Sequence, residues 1–144
     1  MSTPTKPPTR RLGRSALEVT SLAYGCWRIA GPTDPAMVTP EKRKAGCAAV
    51  VAAYEEGFNF FDLADIYCQG VAEEVFGAAL AAVGGMRERV VIATKCGIRF
   101  KGDPDAEAPY RYDFSAEHIR RSCEASLKRM GVETIDLYLL HRPD

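Results

Sequence analysis

Hydrophobic and polar positions alternate along the chain between short extended runs and longer stretches with helical spacing. Four short apolar runs predict strands at residues 21–25, 58–62, 90–94 and 134–140. Three longer segments predict helices at residues 40–56, 72–83 and 116–130, the first behind the capping residue Thr39 and the third behind Ser115. A turn-rich segment at residues 10–19 predicts a small β hairpin in front of them.

The order of these elements predicts an α/β fold. The run Val90–Thr94 is continuously apolar and rich in β-branched residues, which is typical of a strand covered on both faces. Alternating strands and helices imply right-handed βαβ units and a parallel sheet. Four strands with three helices form either a small open sheet or half of a (β/α)8 barrel. We expect residues 1–9 to be a flexible tail and residues 10–144 to belong to a single domain.

Composition and charge narrow the class of protein. The chain has 144 residues, of which 47% are hydrophobic and 26% are charged, as in ordinary globular proteins. Nineteen basic and nineteen acidic side chains give a formal net charge of zero, so the chain has no excess of positive charge to attract nucleic acid or an anionic membrane. No apolar run approaches the roughly 20 residues of a membrane span, and no signal-peptide core follows the N-terminus. We therefore expect a cytoplasmic protein that binds neither nucleic acid nor membrane.

The cysteines and histidines do not form a recognisable metal motif. The chain contains five cysteines and two histidines, and no pair of cysteines has C-x-x-C spacing. An odd number of cysteines without such spacing argues against a disulfide framework and against a thiolate zinc site. We interpret the cysteines as reduced thiols and predict no metal site.

A chemically suitable residue stands at the carboxyl end of each predicted strand: Gly25, Asp62, Lys95 and His141. Parallel strands share one rim at their carboxyl ends, so these residues converge there, and Tyr67 follows in the loop after Asp62. A phenol has a pKa of about 10, and an ammonium group beside it favours the phenolate and lowers that pKa. The set is suited to delivering a proton to an oxygen, while a cofactor must supply the rest of the reaction.

Four separated segments resemble the signature segments of the aldo-keto reductases. They are residues 11–19 (RLGRSALEV), 60–67 (FFDLADIY), 92–95 (IATK) and 135–144 (IDLYLLHRPD). The resemblance implies a (β/α)8 TIM barrel with an N-terminal β-hairpin. Because a typical barrel has about 250 residues, the chain corresponds to the N-terminal half, truncated after the fourth strand.

The resemblance also implies a catalytic tetrad of Asp62, Tyr67, Lys95 and His141. In the implied reaction NADPH reduces an aldehyde or ketone carbon, and Tyr67 donates a proton to the carbonyl oxygen. Lys95 stabilises the phenolate, Asp62 orients Lys95, and His141 positions the carbonyl. The implied substrate class is a small-molecule carbonyl compound such as a sugar or a small aldehyde.

The resemblance further implies that Gly25, Cys26, Trp27 and Asp62 line the nicotinamide site, and that Trp27 and His141 contact the substrate. Most contacts to the rest of NADPH are expected in the second half of the family's fold. We therefore expect residues 1–144 alone to be a weak or inactive reductase.

Several other polar residues have ordinary structural interpretations. Asp65 is left out of the tetrad as a residue that caps the next turn, and Glu73 and Glu74 are expected on a solvated helix face. The polar stretch 97–114 is expected to form an ordered surface loop, whose Tyr110 and Tyr112 pack down onto the fold.

Two alternative functions remain open at this point. The first is a non-catalytic nicotinamide-sensing subunit resembling the potassium-channel β subunits, which carry Asn where this chain has His141. The second is a metal-dependent barrel hydrolase that uses Asp62, Asp65 and His141, although no H-x-H ligand pair follows the first strand.

Overall fold

The computed structural model describes residues 6–142, so most of the predicted tail and the last two residues of the fourth signature segment lie outside the described part. Within it, strands and helices follow one another in this order: β1 (Thr9–Arg11), β2 (Glu18–Thr20), β3 (Tyr24–Gly25), α1 (Pro40–Glu55), β4 (Phe60–Asp62), α2 (Val71–Ala82), β5 (Val91–Cys96), β6 (Ile98–Arg99), β7 (Arg111–Tyr112), α3 (Ala116–Met130) and β8 (Leu137–Leu140).

A four-stranded parallel sheet forms the centre, in the order β3-β4-β5-β8. The register aligns Gly25 with Asp62 and Lys95 with Leu139, so the carboxyl ends of the strands share one rim. Strands β1 and β2 form the predicted antiparallel hairpin, which begins at Thr9. The parallel sheet and its alternating helices confirm the predicted α/β architecture.

Capping residues set the helix boundaries. The Thr39 hydroxyl accepts a hydrogen bond from the Lys42 N–H at 3.3 Å, and Pro40 occupies the first position of α1. The Ser115 hydroxyl accepts from the His118 N–H at 3.3 Å, and α3 ends at Gly131, whose φ of +66° is left-handed. The predicted boundaries of all three helices are therefore correct to within about one residue.

The predicted loop 97–114 contains more structure than expected. Strands β6 and β7 pair in it as an antiparallel ribbon. The buried guanidinium of Arg99 holds the ribbon together, because it donates to Asp103 at 2.8 Å and to Asp113 at 2.9 Å. Hydrogen bonds from Ser115 and from Arg99 hold the pKa of the Asp113 carboxyl well below its usual range.

The core lies between the sheet and the helices. Large, fully buried side chains from both the strand region and the helices form one cluster there: Phe61, Leu63, Ile92, Phe76, Val50 and Met130. Full burial of one such side chain contributes roughly 1.5–3 kcal/mol. In the described range, no helix combines the length and the apolar character needed to cross a membrane.

Helices α2 and α3 approach closely at Gly77. A Cβ added there would lie 2.7–2.9 Å from backbone atoms of Met130, which cannot rotate away. We expect Gly77→Ala to lower the free energy of unfolding by about 1–2 kcal/mol, although alanine favours helix by about 1 kcal/mol. Urea denaturation followed by circular dichroism measures the change. Gly84→Ala is the matched control, because a Cβ at Gly84 would meet nothing within 4 Å; equal losses in both variants would contradict the prediction.

Candidate active site

An ion pair joins the ends of β4 and β5. The Lys95 Nζ lies 2.9 Å from Oδ1 and 3.0 Å from Oδ2 of Asp62, and the Lys95 side chain is only 14% exposed. The carbonyl oxygen of Leu63 accepts a further hydrogen bond from Nζ at 2.6 Å. A mostly buried ammonium needs such partners because its charge is costly away from water.

Tyr67 completes the environment of the ammonium. The Lys95 Nζ donates to the Tyr67 Oη at 3.1 Å and lies 4.9 Å from the centre of its ring. Because the lysine donates to the phenol oxygen, the phenol's own proton stays available for another acceptor. The geometry therefore brings Asp62, Lys95 and Tyr67 into one hydrogen-bonded chain.

An unusual turn carries Tyr67. Cys68 and Gln69 have φ values of 49° and 51°, and Gly70 has 93°, so three consecutive residues adopt left-handed conformations. Residues with a Cβ adopt this region at a cost of roughly 1–2 kcal/mol each. The loop that leads from β4 into this turn is tied to the end of β5, because the Asp65 N–H donates to the Lys95 carbonyl oxygen at 3.0 Å.

His141 stands beside the tyrosine, immediately after β8. Its backbone N–H donates to the Cys96 carbonyl at 2.8 Å, and its ring meets the Tyr67 ring edge-on at a centroid distance of 6.0 Å. Its Nδ1 is buried and has no hydrogen-bond partner within residues 6–142. Burial, together with the positive charges of Lys95 and Arg142, lowers the pKa of the His141 imidazole, so the ring is neutral at pH 7.

Of the residues predicted to line a nicotinamide site, Gly25, Cys26 and Trp27 lie at the end of β3 and in the turn after it, and Asp62 ends the neighbouring strand β4. A Cβ on Gly25 would meet nothing within 4 Å, so the space above this strand end is open. The Trp27 ring is 58% exposed. Cys26 is different: its side chain is fully buried, and burial raises the pKa of its thiol. The Cys26 side chain therefore lies in the core, and the residue's N–H donates to the Asp62 carbonyl at 2.9 Å. The assignment of Cys26 to the nicotinamide site stays a prediction.

The sequence interpretation missed a buried ion pair next to the site. Glu73 was expected on a solvated face, but it is fully buried. Its carboxylate accepts hydrogen bonds from the Thr94 hydroxyl at 2.6 Å and from Arg129 Nε at 2.7 Å. Apolar residues surround Glu73 along α2, which is typical of a helix buried on most sides and was an available signal.

Asp65 lies in the same region. Its Oδ1 is buried without a hydrogen-bond partner within the described range. Burial raises the pKa of this carboxyl to about 7, the charge of Glu73 adds to the shift, and Arg129 opposes it. Asp65 therefore does not serve as the simple turn cap that was expected.

The geometry also bears on the metal-hydrolase alternative. Both carboxylate oxygens of Asp62 face the ammonium of Lys95, which takes the place that a cation would occupy. Residues 6–142 contain no group of three or more His, Cys, Asp or Glu side chains arranged to hold a metal ion. The arrangement fits proton transfer better than metal binding.

Comparisons with known proteins point to one family. The model of the aldo/keto reductase family matches residues 21–144. The chain is 38% identical to the 6-dehydroglucose reductase of Novosphingobium aromaticivorans, over 98% of this chain and 43% of the relative. It is 36% identical to a probable voltage-gated potassium channel subunit beta of Arabidopsis thaliana, over 94% of this chain and 37% of the relative.

A solved structure matches the fold as well. The holo form of an aldo-keto reductase from Bacillus halodurans aligns with a TM-score of 0.76 and 32% identity, over 94% of this chain and 40% of that chain. The chain therefore spans less than half the length of the relatives it matches. The resemblance to a (β/α)8 barrel confirms the predicted fold class for the stretch that is matched.

The raised pKa of Asp65 predicts a pH-dependent stability. An unfolded Asp has a pKa of about 3.9, so the penalty for keeping Asp65 folded grows from that pH up to about 7. Asp65→Asn cannot ionise, and we expect it to stabilise the protein more at pH 8 than at pH 5, by about 2 kcal/mol. Urea denaturation at both pH values measures this, with the exposed Glu133→Gln as control. A gain that is the same at both pH values would rule out ionisation of Asp65 as the cause.

Proposed function

Because the chain belongs to the aldo/keto reductase family, we propose that it carries the proton-delivering residues of an NADPH-dependent carbonyl reductase. The reaction converts an aldehyde or ketone to an alcohol. The observation that carries the proposal is the position of the Lys95 Nζ, which contacts both the Asp62 carboxylate and the Tyr67 hydroxyl.

The described residues fit the nicotinamide end of NADPH. Open space above Gly25 and the exposed ring of Trp27 leave room for a flat heterocycle beside Asp62. The unpartnered Nδ1 of His141 adds a polar group that a ligand can satisfy. When bound, the nicotinamide supplies the hydride. The Bacillus halodurans relative was solved in a holo form, which supports the binding of a cofactor by this chain.

Tyr67 is the proposed acid. Its hydroxyl proton is free to go to the substrate oxygen because Lys95 donates to the same oxygen atom. As the proton leaves, the ammonium stabilises the phenolate that remains, and the Asp62 carboxylate keeps the ammonium charged and oriented.

His141 is the proposed positioning group for the substrate carbonyl. A neutral imidazole presents one N–H donor and one acceptor nitrogen, so it can hydrogen-bond the carbonyl oxygen without competing as the acid. Its lowered pKa keeps it neutral at the pH where a reductase operates. Trp27, with its exposed ring, is the second proposed substrate contact.

A small, sugar-like aldehyde or ketone is the proposed substrate class. The name of the Novosphingobium aromaticivorans relative, 6-dehydroglucose reductase, supports a sugar-derived carbonyl compound. The activity and the substrate of the whole protein remain part of this proposal, because the chain spans less than half of the relatives' length. The cytoplasmic location likewise stays a prediction.

A cofactor-sensing role is the second candidate, favoured by the 36% identity to the Arabidopsis thaliana channel subunit. His141 favours catalysis instead, because the resemblance to the potassium-channel β subunits implies Asn at this position in a sensing subunit. Turnover of an aldehyde separates the two functions, since a sensor binds the cofactor without consuming it.

Tyr67→Phe removes the proposed acid while keeping the ring. We expect the rate of 4-nitrobenzaldehyde reduction by NADPH, measured in the full chain at 340 nm, to fall on the order of 10²–10⁴-fold. Tyr54→Phe is the control, because the Tyr54 hydroxyl contacts Arg89 on the helix side of the fold. A Tyr67→Phe protein that reduces the aldehyde at the unaltered rate would refute the role of Tyr67.

Trp27 gives a direct readout of cofactor binding, because it is the single tryptophan of the chain. If the nicotinamide binds beside Trp27, NADPH quenches the fluorescence of Trp27. We expect residues 1–144 to bind weakly, with a Kd of about 1 mM or higher, because the nicotinamide end alone is held. Free N-acetyl-tryptophanamide titrated with the same NADPH concentrations corrects for absorption by NADPH, and micromolar binding would contradict the expectation.

A further inference from the structure

A second set of polar side chains lies behind the rim, on the helix side of the sheet, and has no part in the proposed reaction. Glu73, on α2, is fully buried. One of its oxygens accepts a hydrogen bond from the Thr94 hydroxyl at 2.6 Å, and the other accepts from Arg129 Nε at 2.7 Å. Arg129 belongs to α3, so the three side chains join two helices to the central strand β5.

One end of this set is adjacent to Lys95. Side chains alternate between the two faces of a strand, so the Thr94 hydroxyl points towards the helices while the Lys95 side chain points to the rim. Thr94 is fully buried, and its hydroxyl bonds to Glu73. That bond ties β5 to α2 at the residue directly before the proposed catalytic lysine.

The other end of the set contacts the turn that carries Tyr67. A Cβ on Gly70 would lie 2.7 Å from Cδ of Arg129, so the arginine side chain packs directly against the last residue of the turn. Cys68 and Gln69, the two preceding residues, adopt left-handed conformations that are unfavourable on their own. The turn therefore depends on outside contacts to keep its shape, and Arg129 supplies one.

We propose that Thr94, Glu73 and Arg129 form a brace that positions Lys95 and Tyr67 relative to each other. They are positioning residues, since none of them touches the proposed reacting atoms. The inference rests on the proposed function, because it concerns the 3.1 Å contact between Lys95 Nζ and Tyr67 Oη. A misplacement of about 1 Å is enough to lose such a contact and to slow a reaction on the order of 10²-fold.

Thr94 offers the sharpest test. Thr94→Val removes the hydroxyl while keeping the shape, and Thr94→Ser keeps the hydroxyl. In protein labelled with ¹³C at the tyrosine ring, the Tyr67 Cζ resonance, assigned by Tyr67→Phe, reports the contact with Lys95. Lys95→Met defines the chemical-shift change when the ammonium is removed. We expect Thr94→Val to move the Tyr67 Cζ resonance by at least half of the change seen in Lys95→Met. We expect Thr94→Ser to leave the resonance in place.

General destabilisation is excluded by a control outside the brace. Val50→Ala opens a cavity at a fully buried position of α1 and should leave the Tyr67 resonance unchanged. If Thr94→Val does not fold, Arg129→Lys takes its place, because it keeps the charge and removes the Nε donor to Glu73. We expect the same displacement of the resonance with that variant.

The outcomes separate the brace from the proposed function. A resonance that moves in Lys95→Met but stays in place in both Thr94→Val and Arg129→Lys would overturn the brace alone. A resonance that stays in place in Lys95→Met would show that Lys95 does not contact Tyr67, which would overturn the proposed function and the brace with it. Displacement by Val50→Ala equal to that by Thr94→Val would also overturn the brace.

Discussion

The arrangement of residues at the rim depends on supplying hydrogen-bond acceptors to one ammonium group, that of Lys95, which is mostly shielded from water. Lys95 has three protons, and three groups accept them: the Asp62 carboxylate, the Leu63 carbonyl and the Tyr67 hydroxyl. All three acceptors come from residues 62–67, which comprise the last residue of β4 and the stretch that follows it. The lysine therefore cannot change its position unless that whole stretch moves, and the phenol keeps a cation beside it without a metal ion.

The need to hold these acceptors around Lys95 also determines the structure of neighbouring parts of the fold. The stretch that satisfies Lys95 must turn sharply into α2, and it does so through left-handed residues at 68–70. Arg129 packs against the end of that turn, and Glu73 ties both Arg129 and Thr94 into one buried network. A buried ion pair contributes little to the free energy of unfolding by itself. The pair of Glu73 and Arg129 is therefore better explained by the geometry that it maintains.

Local signals were sufficient to predict most of the fold. Thr39 and Ser115 marked two helix starts because a capping hydroxyl acts on residues two or three positions away. The ribbon β6–β7 was missed because Arg99 holds it together through Asp103 and Asp113, which nothing in the local pattern links to Arg99. The same reason explains why the burial of Glu73 was missed, because its partner Arg129 lies on another helix.

By itself, the sequence determined which residues stand at the ends of parallel strands, and hence that Asp62, Lys95 and His141 share one rim. The alternation of side chains along a strand and the parallel order of βαβ units are set by residues that are close together in the sequence. The pattern of apolar and polar residues is therefore enough to predict them. Only the tertiary structure decided that the Cys26 side chain turns into the core, that Oδ1 of Asp65 is buried without a hydrogen-bond partner among residues 6–142, and that Glu73 is buried. Burial and charge pairing depend on which distant segments pack together, and a linear pattern does not specify that packing.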